Sequence, residues 1–181
     1  RVLRGDDHVL CERAVGVDPE DLEVAADVSP PGPAGRAHAT GDVRLDGHER
    51  PPLHVVHLGV GQPASFAQAQ RLLVVLGRGA EAGLIEHFAS LPGEHNGLVS
   101  GTTEIRVGEA AQLRHYRLHL EEEHAIHIGG LYVELGRAAV CESLVFGLGG
   151  RLKRLDLRLR HLGAGSECRL NGVYLARHSQ H

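Results

Sequence analysis

The phrase Leu76-Gly77-Arg78-Gly79-Ala80-Glu81-Ala82 decides the fold, because close variants of it recur three more times along the chain. Each copy reads as an apolar residue, a glycine, any residue, two small residues, any residue, and a small or apolar residue. The glycines follow one another at intervals of 31, 28 and 27 residues, a period typical of stacked structural units. The other copies are Val107-Gly108-Glu109-Ala110-Ala111-Gln112-Leu113, Leu135-Gly136-Arg137-Ala138-Ala139-Val140-Cys141 and Leu162-Gly163-Ala164-Gly165-Ser166-Glu167-Cys168.

Each repeat contains two strand-like halves around its glycine. Before the glycine, apolar residues recur at every second position, as in Leu72, Val74 and Leu76, which is the pattern of a half-buried strand. A second alternation follows the glycine, and its apolar members are predicted to point inward. We therefore predict a stack of parallel coils with similar residues in columns. The inward columns after the glycines are Ile85, Tyr116, Leu144 and Asn171; His87, Leu118, Phe146 and Val173; and Ala89, Leu120, Leu148 and Leu175.

The corners between the two strands of a coil are expected to need glycine because tight bends often require positive φ. One repeat departs from the common phase. Leu155, Leu157 and Leu159 lie an odd number of residues before the corner residue Leu162. An extra residue or a bulge is therefore predicted near Arg160 and His161.

Composition limits the classes of function. The 181 residues suit one domain, and with neither Trp nor Met the core must be aliphatic. The net charge is −4 without a basic stripe, which argues against a nucleic-acid partner. No apolar run is long enough to span a bilayer, so we expect no membrane partner. Three cysteines without motif spacing favour a reducing compartment, and we expect a cytoplasmic protein.

The chain divides into two parts at its proline-rich breaks. Residues 1–52 form an ill-defined N-terminal segment, in which Asp18-Pro19-Glu20-Asp21 predicts the start of a helix continuing over residues 22–28. The coil is predicted to occupy residues 53–181, with Leu53-His54-Val55-Val56-His57-Leu58 as its first strand. Because the chain begins without Met and ends without a capping segment, we expect a fragment truncated at its C-terminal end.

Histidines supply the first candidate site, since the sequence contains 14 of them. His115, Arg117 and His119 alternate with apolar residues and are predicted to share an outward strand face. Two imidazoles on one face can bind a metal ion, but a solvated polar face is favoured. His87 falls in an inward column as a core histidine. His124 and His127 follow an acidic turn and are predicted to be loop residues.

Cysteines supply the second candidate. Cys141 and Cys168 both lie five residues after a corner glycine, level with Ala82 and Leu113. A small apolar position in the stack explains both without chemistry. Metal-binding C-x-x-C, hydrolase G-x-S-x-G and phosphate-binding motifs are missing from the sequence. We predict no catalytic, cofactor-binding or metal-ligating residue, and retain as metal-ligand candidates only His115, His119 and Cys168.

The basic strand from Arg151 to Arg160 is predicted to present a solvated face, with an acidic partner as the alternative.

Several phrases, taken in order, resemble the SufB/SufD family, and SufD more than SufB. The resemblance covers about residues 53–181 and grows toward the C-terminal end. It is carried by Leu73-Val74-Val75-Leu76-Gly77, Leu84-Ile85-Glu86-His87-Phe88, His115-Tyr116-Arg117-Leu118, Ala125-Ile126-His127-Ile128-Gly129, Phe146-Gly147-Leu148-Gly149-Gly150 and Gly165-Ser166-Glu167-Cys168-Arg169-Leu170-Asn171-Gly172-Val173-Tyr174-Leu175.

This resemblance implies a right-handed parallel β-helix and a non-enzymatic role. Proteins of this kind pair with a SufB subunit on two copies of the ATPase SufC, and a cysteine desulfurase delivers sulfur to the complex. The nascent iron–sulfur cluster forms on the full complex. The segments of the family that contact SufB and SufC have no counterpart here, so no family site residue is carried over.

Two other functions stay open. A polysaccharide-active enzyme on a β-helix would need clustered acids or a calcium site, and no repeated Asp cluster is visible. A plain protein-interaction solenoid is the other alternative. A hexapeptide acyltransferase is disfavoured, because the sequence has no six-residue period.

Overall fold

The computed structural model describes residues 2–5, 8–13, 22–29, 36–47, 52–59, 66–90, 97–178 and 180–181, with side chains from Thr40 onward. These residues form strands and turns. The strands are β1 (Val2–Gly5), β2 (His8–Arg13), β3 (Leu22–Ser29), β4 (Arg36–Leu45), β5 (Leu53–Gly59), β6 (Phe66–Leu76), β7 (Glu81–Ser90), β8 (Gly97–Val107), β9 (Gln112–Glu121), β10 (Ile126–Leu135), β11 (Val140–Gly149), β12 (Leu152–His161) and β13 (Glu167–Leu175).

The strands build two facing sheets, and the chain alternates between them from β4 onward. Sheet A has the order β1-β2-β5-β7-β9-β11-β13, and sheet B has the order β12-β10-β8-β6-β4-β3. Neighbouring strands are parallel from β5 to β13 in sheet A and from β4 to β12 in sheet B. The predicted all-β, parallel β-helix is therefore confirmed.

The glycine corners stack along one edge, as the repeat predicted. The backbone N–H of Gly77 donates to the carbonyl oxygen of Leu45 at 2.9 Å, and that of Gly108 donates to Leu76 at 3.0 Å. Gly136 continues the series on Val107 at 2.9 Å. Successive coils thus meet corner on corner.

The reason for glycine at these corners differs from the prediction. A Cβ at Gly108 would lie 2.6 Å from the carbonyl oxygen of Leu76, and one at Gly163 would lie 2.6 Å from the Cα of Arg137. The corner glycine is therefore needed for close approach of the coil below. Positive φ occurs two residues later instead. Those residues are Gly79 (70°), Ala110 (56°), Ala138 (54°) and Gly165 (73°).

The departure in phase is real but falls one residue later than predicted. β12 stays in register with β10 up to the pair Leu135 and His161. At the next position Leu162 donates its N–H to the carbonyl oxygen of Leu135 at 2.8 Å, as a corner glycine does in the other coils. Leu162 is thus the extra residue, and it lies in the corner, where a bend accepts an insertion without breaking the ladder.

The aliphatic core lies next to the glycine corners. Leu45, Leu76, Val107 and Leu135 occupy one in-register column of sheet B, and all four are buried. Ala82, Leu113 and Cys141 form the facing column of sheet A. Each buried aliphatic side chain contributes about 1.5–3 kcal/mol, so this half of the interior holds the coils together.

The helix predicted in the N-terminal segment is not confirmed at residues 22–28. The predicted helix start at residues 18–21 lies outside the described residues, but Leu22–Ser29, where that helix would continue, is strand β3. It pairs antiparallel with β4, and this sheet pairing overrides the local helix signal. β4 itself pairs parallel with β6, so parallel stacking extends upstream of residue 53.

Candidate functional site

The interior away from the glycine corners is polar. There inward positions of β5, of β7 to β10 and of β12 carry charged and imidazole side chains instead of aliphatic ones. We call this group the polar half of the interior, and the aliphatic region beside the corners the glycine-corner half. The polar half comprises His57, Glu86, Phe88, Thr103, His115, Arg117, His119, Glu121, His127 and Lys153.

A buried ion pair lies at the centre of the polar half. Glu86 and Arg117 are register partners on β7 and β9, and their side chains are 1% and 0% exposed. Arg117 Nη1 donates to Glu86 Oε2 at 3.2 Å and to Thr103 Oγ1 at 2.8 Å. The Thr103 hydroxyl in turn donates to Glu86 Oε1 at 2.6 Å. Since Thr103 belongs to sheet B, these bonds join the two sheets across the interior.

The surroundings of the pair keep both groups ionised. Burial alone would raise the pKa of Glu86, but the Arg117 charge and the imidazoles of His115 and His57, 3.4 and 3.2 Å away, hold it well below its ordinary value. Burial lowers the pKa of Arg117, and the charges of Glu86 and Glu121 oppose that shift. A guanidinium stays protonated at neutral pH, so Glu86 and Arg117 form a compensated pair.

A second group lies where β9 ends and β10 begins. His127 Nδ1 is 2.8 Å from Glu121 Oε1, and His119 Nδ1 is 3.6 Å from Glu121 Oε2. Lys153 reaches in from β12 and donates to Glu121 Oε2 at 2.5 Å. His119, Glu121 and His127 each offer one donor atom within 4.8 Å of the other two, and all three residues are buried.

Burial sets the protonation of this second group. It lowers the pKa of His119 to about 4, against the opposing effect of the Glu121 carboxylate 3.6 Å away. It lowers the pKa of His127 in the same way. Burial would raise the pKa of Glu121, but the neighbouring imidazoles of His119 and His127, together with the charges of His127 and Lys153, hold it well below its usual value. At neutral pH the group therefore contains two neutral imidazoles, a carboxylate and an ammonium.

Phe88 joins the two groups through ring contacts. Its ring stacks on His57 at 4.4 Å and on His119 at 4.9 Å between centroids, and it meets the edge of His127 at 4.7 Å. The Arg117 guanidinium lies 4.7 Å from the Phe88 centroid. Stacking of this kind fixes the planes of the imidazoles, and so the direction of their nitrogen lone pairs.

The predicted direction of the strands after the glycines was wrong, because the columns expected to point inward from β7, β9 and β11 point outward. His115, Arg117 and His119 point inward and are at most 3% exposed, whereas Tyr116 and Leu120 are 40% and 45% exposed. Hydropathy assigned the apolar alternation to the interior. β9 pairs with β7 so that Leu113 continues the inward column of Ala82. Every second residue after Leu113 therefore also points inward, and these residues are the polar ones.

Two further histidine predictions need correction. His87 was predicted to be in the core, but it lies half-buried on the outer face of sheet A, stacked on His54 at 5.7 Å. Burial and the charges of His54 and His57 lower its pKa. His127 was predicted to be a loop residue, but it is a buried residue of β10. His124 lies in the preceding turn, as predicted.

The two cysteines occupy the predicted column. Cys141 and Cys168 are register partners on β11 and β13, in line with Ala82 and Leu113. Burial, and then the neighbouring Cys168, raises the pKa of the Cys141 thiol to about 12. Burial also raises the pKa of Cys168. Both sulfurs are therefore thiols at neutral pH and poor nucleophiles. The side chain of Cys11 lies outside the described side chains.

The basic strand β12 divides between the two faces. Lys153 points inward to Glu121, while Arg160 on the outer face donates to Glu134 at 2.5 Å. Arg158 lies over the Tyr132 ring at 5.5 Å. The predicted solvated face holds for the arginines but not for Lys153.

Of the three metal-ligand candidates, only His119 belongs to a group of three potential ligands within the described part of the chain. His115 bonds to Ser143 at 3.0 Å, and Cys168 contacts Cys141. Glu121 and His127, the partners of His119, were missed. Glu121 lies an even number of residues after the inward residue Leu113 on β9, and this spacing was the sequence signal that could have identified it. His127 required the pairing of β10 with β12 and β8.

Comparison with known proteins gives a consistent result. The family described as "SUF system FeS cluster assembly, SufBD core domain" matches residues 59–181. An iron–sulfur cluster assembly SufBD family protein of Mycobacterium tuberculosis is 28% identical over 85 residues, which are 47% of this chain and 21% of that protein. One from Synechocystis is 25% identical over 115 residues, which are 60% of this chain and 25% of that protein. The chain thus spans a quarter or less of these relatives.

Among the described residues, no helix has the length and apolar character that crossing a bilayer requires.

Proposed function

The chain belongs to the SufBD core family of the SUF system, and from this premise we propose that it is a non-catalytic scaffold subunit in the assembly of iron–sulfur clusters, of the SufD type. The observation that carries the proposal is the family match over residues 59–181, which coincides with the parallel strands from β6 to β13. The nascent cluster is the cargo of the complex and not a resident group of this chain.

We further propose the partners that a scaffold of this type needs. They are a SufB-like subunit and a SufC-like ATPase dimer, with a cysteine desulfurase system acting indirectly, all in the cytoplasm. The outer face of sheet A supports a role in protein contacts, because it carries exposed apolar side chains such as Tyr116, Leu120 and Val173. Exposed apolar patches are typical of interaction surfaces.

A non-catalytic role agrees with the chemistry of the interior. The ionised groups of the polar half, Glu86, Arg117, Glu121 and Lys153, compensate one another in charge. The two thiols of the described core have raised pKa values and form no set of four ligands. We accordingly propose that this chain alone binds no iron–sulfur cluster.

Co-purification tests the function. The full-length protein is tagged in its own host, and the proteins retained with it are identified by mass spectrometry. We expect an ABC-type ATPase and a second protein with a SufBD core. A protein that elutes as a monomer and retains neither would contradict the proposed role.

A plain interaction solenoid is the second candidate, and the exposed apolar face of sheet A favours it. It predicts stable capture of some other protein without the ATPase. Loss of iron–sulfur enzyme activities on deletion of the gene, restored by the full-length protein, would decide for cluster assembly.

A further inference from the structure

We propose that His119, Glu121 and His127 form a binding site for a single divalent transition-metal ion of the zinc or ferrous class. The three residues come from two consecutive strands, β9 and β10, joined by a short turn at residues 122–125. Their donor atoms lie within 4.8 Å of one another. This proposal concerns a mononuclear site and does not rest on the role in cluster assembly.

One unpartnered nitrogen points independently to a ligand at this place. His119 Nδ1 is buried, has no hydrogen-bond partner among the described residues and faces Glu121. Other buried imidazole nitrogens of the described side chains, such as His54 Nε2, also lack a partner, but two imidazoles and a carboxylate converge here. Buried polar atoms are nearly always satisfied, so an orphan nitrogen beside two other ligand atoms indicates a place for a bound ion.

The donor set selects the class of metal. Two imidazoles and one carboxylate suit zinc and ferrous ions, whereas magnesium and calcium prefer oxygen donors. Ligands about 2.1 Å from a tetrahedral ion are roughly 3.4 Å apart. His119 Nδ1 lies 3.6 Å from Oε2 of Glu121 and His127 Nδ1 lies 2.8 Å from its other oxygen, Oε1, and these distances fall on either side of that value.

The positions of the ring protons in the metal-free site are compatible with metal binding. Arg117 Nε donates to His119 Nε2 at 3.2 Å, so Nδ1 carries the ring proton and faces Glu121. Binding at Nδ1 releases that proton to solvent. At His127 the proton moves from Nδ1 to Nε2, which has no partner in the empty protein. Glu121 stays ionised throughout.

Lys153 is the competitor of the metal ion. Its ammonium lies 2.5 Å from Glu121 Oε2, and its side chain is 11% exposed, the most accessible of this group. A metal ion must displace this cation from the carboxylate. Removing the ammonium therefore increases the metal affinity, an effect that a purely structural role of the group does not predict.

The experiment titrates the chelator-stripped full-length protein with Zn²⁺, and with Fe²⁺ under anaerobic conditions, by calorimetry. We expect one ion per chain at this site, at least tenfold weaker binding in His119→Gln/His127→Gln, and several-fold tighter binding in Lys153→Met. The matched control is His54→Gln/His87→Gln, a stacked histidine pair on the outer face, which should bind like the wild type. Mg²⁺ should not compete.

Spectra of the Co²⁺ form identify the ligands. We expect a nitrogen and oxygen environment without the sulfur-to-cobalt charge-transfer band that thiolate ligands would produce. The proposal is overturned by a thiolate band, by equal affinity in the wild type and His119→Gln/His127→Gln, or by absence of binding in both the wild type and Lys153→Met. If the histidine double variant does not fold, the Lys153→Met result and the cobalt spectrum still decide.

Discussion

The two halves of the interior share one backbone ladder but use opposite side chains. In the glycine-corner half, Leu45, Leu76, Val107 and Leu135 repeat one aliphatic position through four coils. In the polar half, the column through Glu86 changes at every coil, from Val55 to Glu86 to Arg117 to Val145. A stack of coils can therefore take ionised groups in its interior, provided that neighbouring coils supply the opposite charge.

The aliphatic and the polar side chains also contribute to stability in different ways. Burial of aliphatic area is additive along the glycine-corner half, so each coil contributes in the same way. The polar half contributes through contacts that each depend on one particular partner. Substitutions in the two halves should accordingly differ in their coupling.

The largest effect is expected from breaking the central ion pair. Arg117→Met leaves the Glu86 carboxylate buried without its cation and should lower the free energy of unfolding by about 3–5 kcal/mol. The double variant Glu86→Leu/Arg117→Met removes both charges and should recover much of that loss. Urea unfolding of the single and double variants measures the coupling. Strictly additive losses would show that the pair does not interact.

A cavity in the glycine-corner half should cost slightly less. Leu135 is fully buried, and Leu135→Ala should destabilise the protein by about 2–5 kcal/mol through lost burial and an unfilled cavity. The control is Leu120→Ala on the outer face, where 45% exposure leaves less to lose and the expected loss is below about 1 kcal/mol. Thermal unfolding of both variants makes the comparison, and similar melting temperatures would contradict the assignment of faces.

Acid should weaken the polar half selectively. The folded pKa of His119 is about 4, below its unfolded value near 6.5, so between these values the unfolded chain binds a proton that the native protein does not. Stability should therefore fall as the pH drops from 6.5 to 4, by roughly 3 kcal/mol from this residue. His127 acts in the same direction.

Urea titrations of metal-free protein at several pH values measure this loss. His119→Gln should flatten the profile between pH 6.5 and 4. Equal slopes for the variant and the wild type would show that His119 is not the group responsible.

The smallest effect is expected at the corners. Ala138 has a φ of 54°, a conformation that glycine adopts without strain, so Ala138→Gly should stabilise the fold by about 0.5–1 kcal/mol. Gly136→Ala is the opposite case, because its Cβ would lie 3.0 Å from the backbone nitrogen of Glu109 in the coil below. Denaturant midpoints should move in opposite directions, and a shared direction would refute the division of roles between the two positions.

The sequence predicted the coil and its corners because both depend on a pattern that repeats. The phase slip was also visible, to within one residue of Leu162. The orientation of β9 was missed since Tyr116 and Leu120 are more apolar than His115 and Arg117, and hydropathy alone cannot anticipate an interior with compensated charge. The contacts of Lys153 with Glu121 and of Thr103 with Arg117 join distant residues, so local pattern carries no signal for them.

The pairing of Glu86 with Arg117 has a consequence for how the chain finds its fold. Coils with the same aliphatic residues are nearly interchangeable. In a solenoid built only from such coils, a strand could pair one coil too high or too low during folding at little cost in free energy. Arg117 meets a carboxylate on one side and Val145 on the other. A misthreaded β9 would leave a guanidinium stranded in an apolar environment, at a penalty of several kcal/mol. The charged residues thereby make the correct alignment of the coils more stable than alignments shifted by one coil.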